Sequence, residues 1–190
     1  MERAVNAEKY ADADIRRILT SVKSIALVGA SANPARPSFI VLKYLIGRGY
    51  RMLPVNPGLA GQTLLGTMAY SALADAPGPI DMVEIFRASE YAGGIVDEAL
   101  RLDPLPRVIW MQLGVIDAAA AERARTAGVE VVMNRCPKIE WGRLSGEIGW
   151  HGVNSRIISA RKPLAGKGFQ RLDISPGRAG EPSPKMSRPL

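Results

Sequence analysis

Five short apolar segments alternate along the chain with longer segments in which apolar residues recur every three or four positions. A short apolar run is typical of a strand buried on both faces, and the longer spacing is typical of helices that cover a sheet. The alternation therefore predicts an α/β fold with a parallel sheet. The predicted strands cover 24–29, 50–55, 80–86, 107–112 and 129–133.

Residues that favour helix starts and stops frame the segments between these strands. Pro37 suits the first turn of a helix, because a proline there removes no hydrogen bond, and Gly47 or Gly49 suits its end. Asp117 suits an N-cap, with Gly128 after the last turn of the same helix. The other predicted helices cover 12–21 and 89–102, with a short one at 71–75 inside the turn-rich stretch 58–79.

Helical crossovers require the five strands to be parallel, and they bring the carboxyl ends of all strands to one edge of the sheet. We therefore predict a three-layer, Rossmann-like domain with a five-stranded sheet in the order 3-2-1-4-5. Open α/β folds bind their ligands at that edge. The segments that follow the strands are polar and rich in glycine, and they cover 29–36, 56–57, residue 87, 112–114 and 134–136.

The excess of positive charge lies near the C-terminal end. The formal net charge is +7, and residues 161–190 contain seven Lys or Arg against two Asp or Glu. Because nine of these thirty residues are Gly or Pro, the segment buries too little apolar surface to offset the entropy of ordering it. We predict an N-terminal helical extension over 1–23, one α/β domain over 24–163 and a disordered basic tail over 164–190.

Composition excludes several classes of site. The lone cysteine, Cys136, rules out an internal disulfide, and one histidine, His151, is too few for a Cys/His zinc cluster. His151 is interpreted as a surface or packing residue. The chain has no apolar run long enough for a membrane span and no signal-peptide pattern, so a cytoplasmic location is predicted. No motif indicates nucleic-acid binding beyond the charge of the tail.

The loop after the first strand favours a phosphorylated ligand. Gly29 and Ala30 turn the chain sharply, and the amides of the next helix then point at a bound anion. Ser31 and Ser38 offer hydroxyl donors, and Arg36 offers a charged fork. The alternative is that Gly29 only serves the turn and that Arg36 is solvated. A dinucleotide fingerprint and a Walker loop are both absent, and no acid follows the second strand.

Five motifs in order resemble the CoA-binding domain family, whose fold is similar to the CoA-binding domain of the succinyl-CoA synthetase α subunit. They read IALVGASANPARPS, GYRMLPVNP, IDMVEIFR, VIWMQLGV and VEVVMNRCPKIEWGRLSGEIGW. The resemblance implies a domain that binds coenzyme A or an acyl-CoA, with the 29–38 loop at the phosphates. It also implies that the rest of the cleft is lined by Asn56, Pro57, Phe86, Arg87, Gln112 and Leu113.

The resemblance to the synthetase is partial, because the chain lacks the length for a phosphohistidine domain. A non-catalytic carrier, sensor or regulatory domain is therefore expected, and a protein partner is one possibility. A component of an acyl-CoA ligase and an NAD(P)-binding oxidoreductase remain alternatives.

Cys136 follows the fifth strand and is placed at the ligand edge, and a mixed disulfide with the CoA thiol is one hypothesis for its role. Arg135 would lower the pKa of its thiol and burial would raise it, and an inert cysteine is the favoured interpretation. Trp110, Trp141 and Trp150 are expected to be core or interface residues.

Overall fold

Five α-helices and seven strands make up the part of the chain, residues 10–146, that the computed structural model describes. The helices are α1 (Asp12–Ser21), α2 (Pro37–Gly47), α3 (Ser89–Ala99), α4 (Ala118–Thr126) and α5 (Pro137–Ser145). The strands are β1 (Ser24–Val28), β2 (Arg51–Val55), β3 (Thr63–Leu64), β4 (Thr67–Met68), β5 (Met82–Ile85), β6 (Val108–Met111) and β7 (Glu130–Val132). Two short 3-10 helices cover Pro57–Leu59 and Leu73–Asp75.

A five-stranded parallel sheet forms the middle layer, which confirms the predicted α/β, Rossmann-like fold class. One face packs against α1, α2 and α5 through a core that includes Leu19, Leu42 and Trp141. The other face packs against α3 and α4 through Val96 and Ala121. Successive side chains of a strand point to opposite faces, so each apolar run serves both cores.

The predicted strand order, 3-2-1-4-5, is wrong. The sheet runs β2-β1-β5-β6-β7, so the third long strand pairs with β1 and β2 lies at an edge. Pro54 gives the physical reason: it lies within β2, opposite Leu27 of β1, and has no N–H to donate to a second neighbouring strand. The outer side of β2 is instead contacted by Tyr70, whose N–H donates to the Pro54 carbonyl at 2.9 Å.

Helix boundaries follow the predicted starts and stops closely. The α1 and α2 boundaries are confirmed, and the Asp117 side chain accepts from the Ala120 N–H at 2.9 Å as the N-cap of α4. The third helix ends at Ala99, three residues before its predicted end. The sequence interpretation did not include α5, nor the β3–β4 hairpin inside the stretch that was predicted to be turns.

Candidate functional site

The observed strand order places a crevice between the carboxyl ends of β1 and β5. The chain leaves β1 toward one side of the sheet and leaves β5 toward the other, so the two following loops separate. A cavity of about 440 Å³ lies there, within the usual range for small-molecule sites. This first cavity is lined by Gly29, Ala30, Ser31, Arg36, Pro37, Ser38, Asn56, Phe86 and Arg87.

Gly29 allows the two loops at this crevice to approach each other. Its φ is +92°, a conformation that favours glycine, and a Cβ at this position would lie 2.7 Å from the Phe86 carbonyl oxygen. The N–H of Gly29 donates to the Val55 carbonyl at 2.9 Å, while the N–H of Phe86 donates to Val28 at 2.8 Å. The glycine therefore lies between the ends of β2 and β5.

Short polar side chains shape the loop between β1 and α2. The Ser31 Oγ accepts from the Asn33 N–H at 3.1 Å, and the Asn33 Oδ1 accepts from the Ala35 N–H at 2.9 Å. Asn56 fastens the loop to the end of β2, because its Nδ2 donates to the Ala30 carbonyl at 2.6 Å. Its Oδ1 accepts from the Gly58 N–H at 2.9 Å. Asn56 lines the cavity while bonding to backbone on both sides.

The charged residues of the first cavity are both arginines. Arg36 is exposed and is the N-cap residue of α2, and Arg87 is exposed directly after the β5 segment. The Arg87 guanidinium lies over the ring of Tyr91, 5.2 Å from its centroid, a distance at which cation and ring attract each other. Since neither Asp nor Glu lines this cavity within residues 10–146, its lining is positively charged.

A second cavity of about 540 Å³ adjoins the first, with Pro37, Phe86 and Arg87 in both linings. Its walls come from α2, from the loop after β6 and from the first turn of α5, and most of the side chains in these walls are apolar. Its lining is Pro37, Ile40, Val41, Phe86, Arg87, Ala88, Gln112, Leu113, Gly114, Val115, Cys136, Lys138 and Ile139.

The Gln112 carboxamide and the Cys136 thiol line the second cavity, and the Glu84 carboxyl lies beside them without lining it. Glu84 projects from β5 and is fully buried, and its Oε1 accepts from the Gln112 Nε2 at 2.9 Å. Its Oε2 has no hydrogen-bond partner within the described part of the chain. Burial raises the pKa of Glu84 to about 8, against the opposing effect of the Gln112 bond. Glu84 is therefore mostly protonated at neutral pH.

Cys136 lies next to this pair and is buried. Burial raises the pKa of its thiol, and negative charge on Glu84 adds to the increase. The amides of Lys138 and Ile139 and the side chain of Gln112 act in the opposite direction without reversing it. The predicted competition between Arg135 and burial is thus decided by burial.

Eleven of the twelve predicted site residues line one of the two cavities. They are Gly29, Ala30, Ser31, Arg36, Ser38, Asn56, Phe86 and Arg87 in the first, with Phe86, Arg87, Gln112, Leu113 and Cys136 in the second. Pro57 is exposed at the start of a 3-10 helix and lines neither.

Sequence reasoning missed Glu84, whose only signal is an acid inside an apolar run. It also missed the α5 residues Lys138 and Ile139. The regions 1–9 and 147–190, with His151, Trp150 and the predicted tail, lie outside the described residues.

Trp110 and Trp141 are core residues, as predicted. Trp110 is fully buried and its Nε1 donates to the Arg135 carbonyl at 2.8 Å. The Trp141 Nε1 donates to the Tyr50 hydroxyl at 3.1 Å. Between residues 10 and 146, no helix combines the length and apolar character needed to cross a bilayer. The same residues bring no three His, Cys, Asp or Glu side chains together as metal ligands.

The fold and the two cavities define a Rossmann-like α/β domain with a ligand site at the carboxyl edge of its sheet. The model of the CoA binding domain family matches residues 23–142. The chain belongs to this family, which confirms the resemblance seen in its motifs and supports a CoA-related function.

Relatives cover most of the same region. The Bacillus subtilis (strain 168) protein YneT, described as uncharacterized, is 39% identical over 127 residues, which are 67% of this chain and 91% of YneT. The crystal structure of Prb, a PH1109 protein redesigned for binding, is 40% identical with a TM-score of 0.68, over 73% of this chain and 95% of Prb. A hypothetical protein from Pyrococcus horikoshii OT3 is 37% identical with a TM-score of 0.67, over 75% of this chain and 98% of its own.

Proposed function

We propose that this protein binds coenzyme A or an acyl-CoA at the carboxyl edge of its sheet, as a carrier, sensor or regulatory domain that does not transform the ligand. The observation that carries the proposal is the first cavity. It lies at the point where the strand order reverses, and arginine and hydroxyl groups line it in a chain of the CoA-binding domain family.

The first cavity suits the phosphates of the ligand. Gly29 leaves no side chain between the backbone and an approaching anion. Arg36 and Arg87 supply two guanidinium groups, which bind phosphate oxygens through paired hydrogen bonds. The Ser31 Oγ already accepts a hydrogen bond from Asn33, so its own proton is free to be donated to the ligand.

The second cavity suits the pantetheine arm and the sulfur. It shares three residues with the first, so a ligand held by its phosphates can extend directly into it. Its apolar walls suit the methylene and methyl groups of the arm. Gln112 and Cys136 line this cavity, and we place the sulfur end of the ligand next to them.

The regulatory role would require a protein partner that reads the ligand state, and we place this task in the cytoplasm. The alternatives are a component of an acyl-CoA ligase and an NAD(P)-binding oxidoreductase. The second alternative is disfavoured by the end of β2. An NAD site uses an acid there to hold the ribose, whereas Asn56 fills this position and bonds to backbone.

Calorimetric titration of the protein, freed of ligand by unfolding and refolding, tests the proposal. We expect CoA to bind, 3′-dephospho-CoA to bind more weakly because it lacks one phosphate, and NAD to bind weakest. Equal or tighter binding of NAD would overturn the proposal. Mass spectrometry of the ligand released in the unfolding step provides an independent check, since a carried CoA or acyl-CoA would identify the natural form.

A further inference from the structure

Large apolar side chains are exposed along the wall of the second cavity. Seven large apolar side chains are exposed in the described part of the chain, and three of them, Ile40, Leu113 and Ile139, line this cavity. They come from α2, the loop after β6 and α5. Three separate elements therefore expose apolar surface to the same space, which is typical of a ligand-binding cavity rather than of scattered surface residues.

Two cationic side chains line the second cavity beside its apolar residues. Lys138 places its ammonium 5.5 Å from the centroid of the Tyr44 ring, and Arg87 places its guanidinium over the ring of Tyr91. The Glu84 carboxyl bonds to Gln112 but is fully buried and does not line the cavity. A ligand in this cavity therefore meets mainly apolar side chains, together with Gln112, Cys136 and the two cations.

We propose that the second cavity is an acyl site that accepts aliphatic acyl groups on the CoA sulfur and binds longer chains more tightly. The inference rests on the proposed function and adds the class of ligand. Continuity with the first cavity carries it, because the phosphates fix one end of the ligand and direct the sulfur and its acyl group into the apolar space.

Titration with free CoA, acetyl-CoA, propionyl-CoA and butyryl-CoA tests the acyl site. Each added methylene should tighten binding about fourfold, the equivalent of ~0.8 kcal/mol of buried apolar group. Butyryl-CoA should then bind roughly fifteenfold more tightly than acetyl-CoA.

Two variants with matched exposure locate the effect. Ile139 lines the cavity and is 43% exposed, whereas Leu105 is 42% exposed and lines neither cavity. Ile139→Ala should reduce the ratio of butyryl-CoA affinity to acetyl-CoA affinity several-fold, and any lost contact with the pantetheine arm cancels in this ratio because both ligands share the arm. Leu105→Ala should leave this ratio unchanged.

The outcomes separate the two proposals. If free CoA binds but acyl chain length has no effect on affinity, the acyl site is wrong and the CoA site stands. If Leu105→Ala alters the acyl preference as much as Ile139→Ala, the site lies elsewhere. If free CoA does not bind at all, the proposed function fails, and the acyl site fails with it.

Discussion

At the scale of single residues, the polar groups in and beside the first cavity divide into two kinds. The side chains of Asn33, beside the cavity, and Asn56, in its lining, form hydrogen bonds with backbone groups and so fix the shape of the loop after β1. Arg36 is exposed at the cavity wall and faces solvent when no ligand is bound. Removing the first kind would disturb the loop, and removing the second kind would affect the ligand alone. This difference makes Arg36 the clearest test of the phosphate site.

Arg36→Ala should weaken CoA binding roughly tenfold to a hundredfold, or ~1.5 to 3 kcal/mol, because charge-assisted hydrogen bonds to phosphate would be lost. The free energy of unfolding should stay the same, since the side chain is exposed. Arg101→Ala is the matched control, because Arg101 is an exposed arginine outside both cavities. Calorimetric titration of CoA into the unmodified protein and the two variants measures these affinities. An unchanged affinity in Arg36→Ala would mean that the phosphates bind elsewhere.

Cys136 should react slowly in the native protein. Its thiol is buried and its pKa is raised, so little thiolate is present at pH 7. We expect alkylation by iodoacetamide to be at least about tenfold slower in the native than in the urea-unfolded protein. Cys136 is the single cysteine of the chain, so intact mass reports on it alone. Rapid native alkylation would support the reactive thiol that a mixed disulfide with CoA requires.

Glu84 should make stability fall as pH rises. Its pKa is about 8 in the folded chain and near 4.5 when unfolded, so the folded state holds more protons between those values. Stability from this group is therefore complete below pH 4.5 and decreases by about 3 kcal/mol by pH 7. Glu84→Gln removes the titration while keeping an acceptor for Gln112.

Urea unfolding of both proteins at pH 4.5, 6 and 7.5 measures this effect. The variant should gain stability relative to the natural protein as pH increases, because all other titrating groups are shared and cancel in the difference. Parallel curves over this range would show that Glu84 ionises normally in the folded protein.

At the scale of elements, the site depends on how closely the β1 and β5 loops approach. Gly29 and Gly49 both have positive φ, +92° and +87°, but only Gly29 has backbone where a Cβ would lie. Gly49→Ala should cost about 1 kcal/mol, the conformational penalty alone. Gly29→Ala should cost at least twice as much, because the Phe86 carbonyl must also move. Urea unfolding compares the two, and equal losses would mean that the approach of the loops contributes little to stability.

The positions of single elements could be predicted from the sequence, whereas their order in the sheet could not. Strand ends follow from apolar runs and glycines, and the rule that ligands bind at the carboxyl edge then places residues such as Gly29 and Gln112 at a cavity. Strand order depends on contacts between distant segments, which periodicity does not encode. Pro54 was the one local sign, because a proline inside a strand favours an edge. Helix α5 was missed although local signs mark its ends: Pro137 lies in its first turn and Gly146, with a φ of +83°, follows its last residue.

At the scale of the whole molecule, the two cavities of the described residues belong to one unit within the family region. All lining residues of both cavities fall between Gly29 and Ile139, and the family model covers 23–142. The predicted tail, 164–190, lies outside this unit and carries much of the positive charge of the chain. A positively charged tail can attract an anionic ligand over a distance without contacting it. Salt screens such attraction over about 8 Å at physiological ionic strength.

Truncation after Pro163 tests whether the tail contributes to stability or to CoA binding. The free energy of unfolding should be unchanged, because a segment with so many Gly and Pro contributes little to a core. At about 0.5 M salt the affinity for CoA should also be unchanged, since screening removes long-range attraction. At about 0.02 M salt a loss of up to a few-fold is expected, and it should appear in the association rate rather than in the dissociation rate. Stopped-flow measurements at both salt concentrations separate the two rates.

Loss of folded protein on truncation would show that the tail packs against the domain. A faster dissociation rate at high salt would show that the tail contacts the ligand directly.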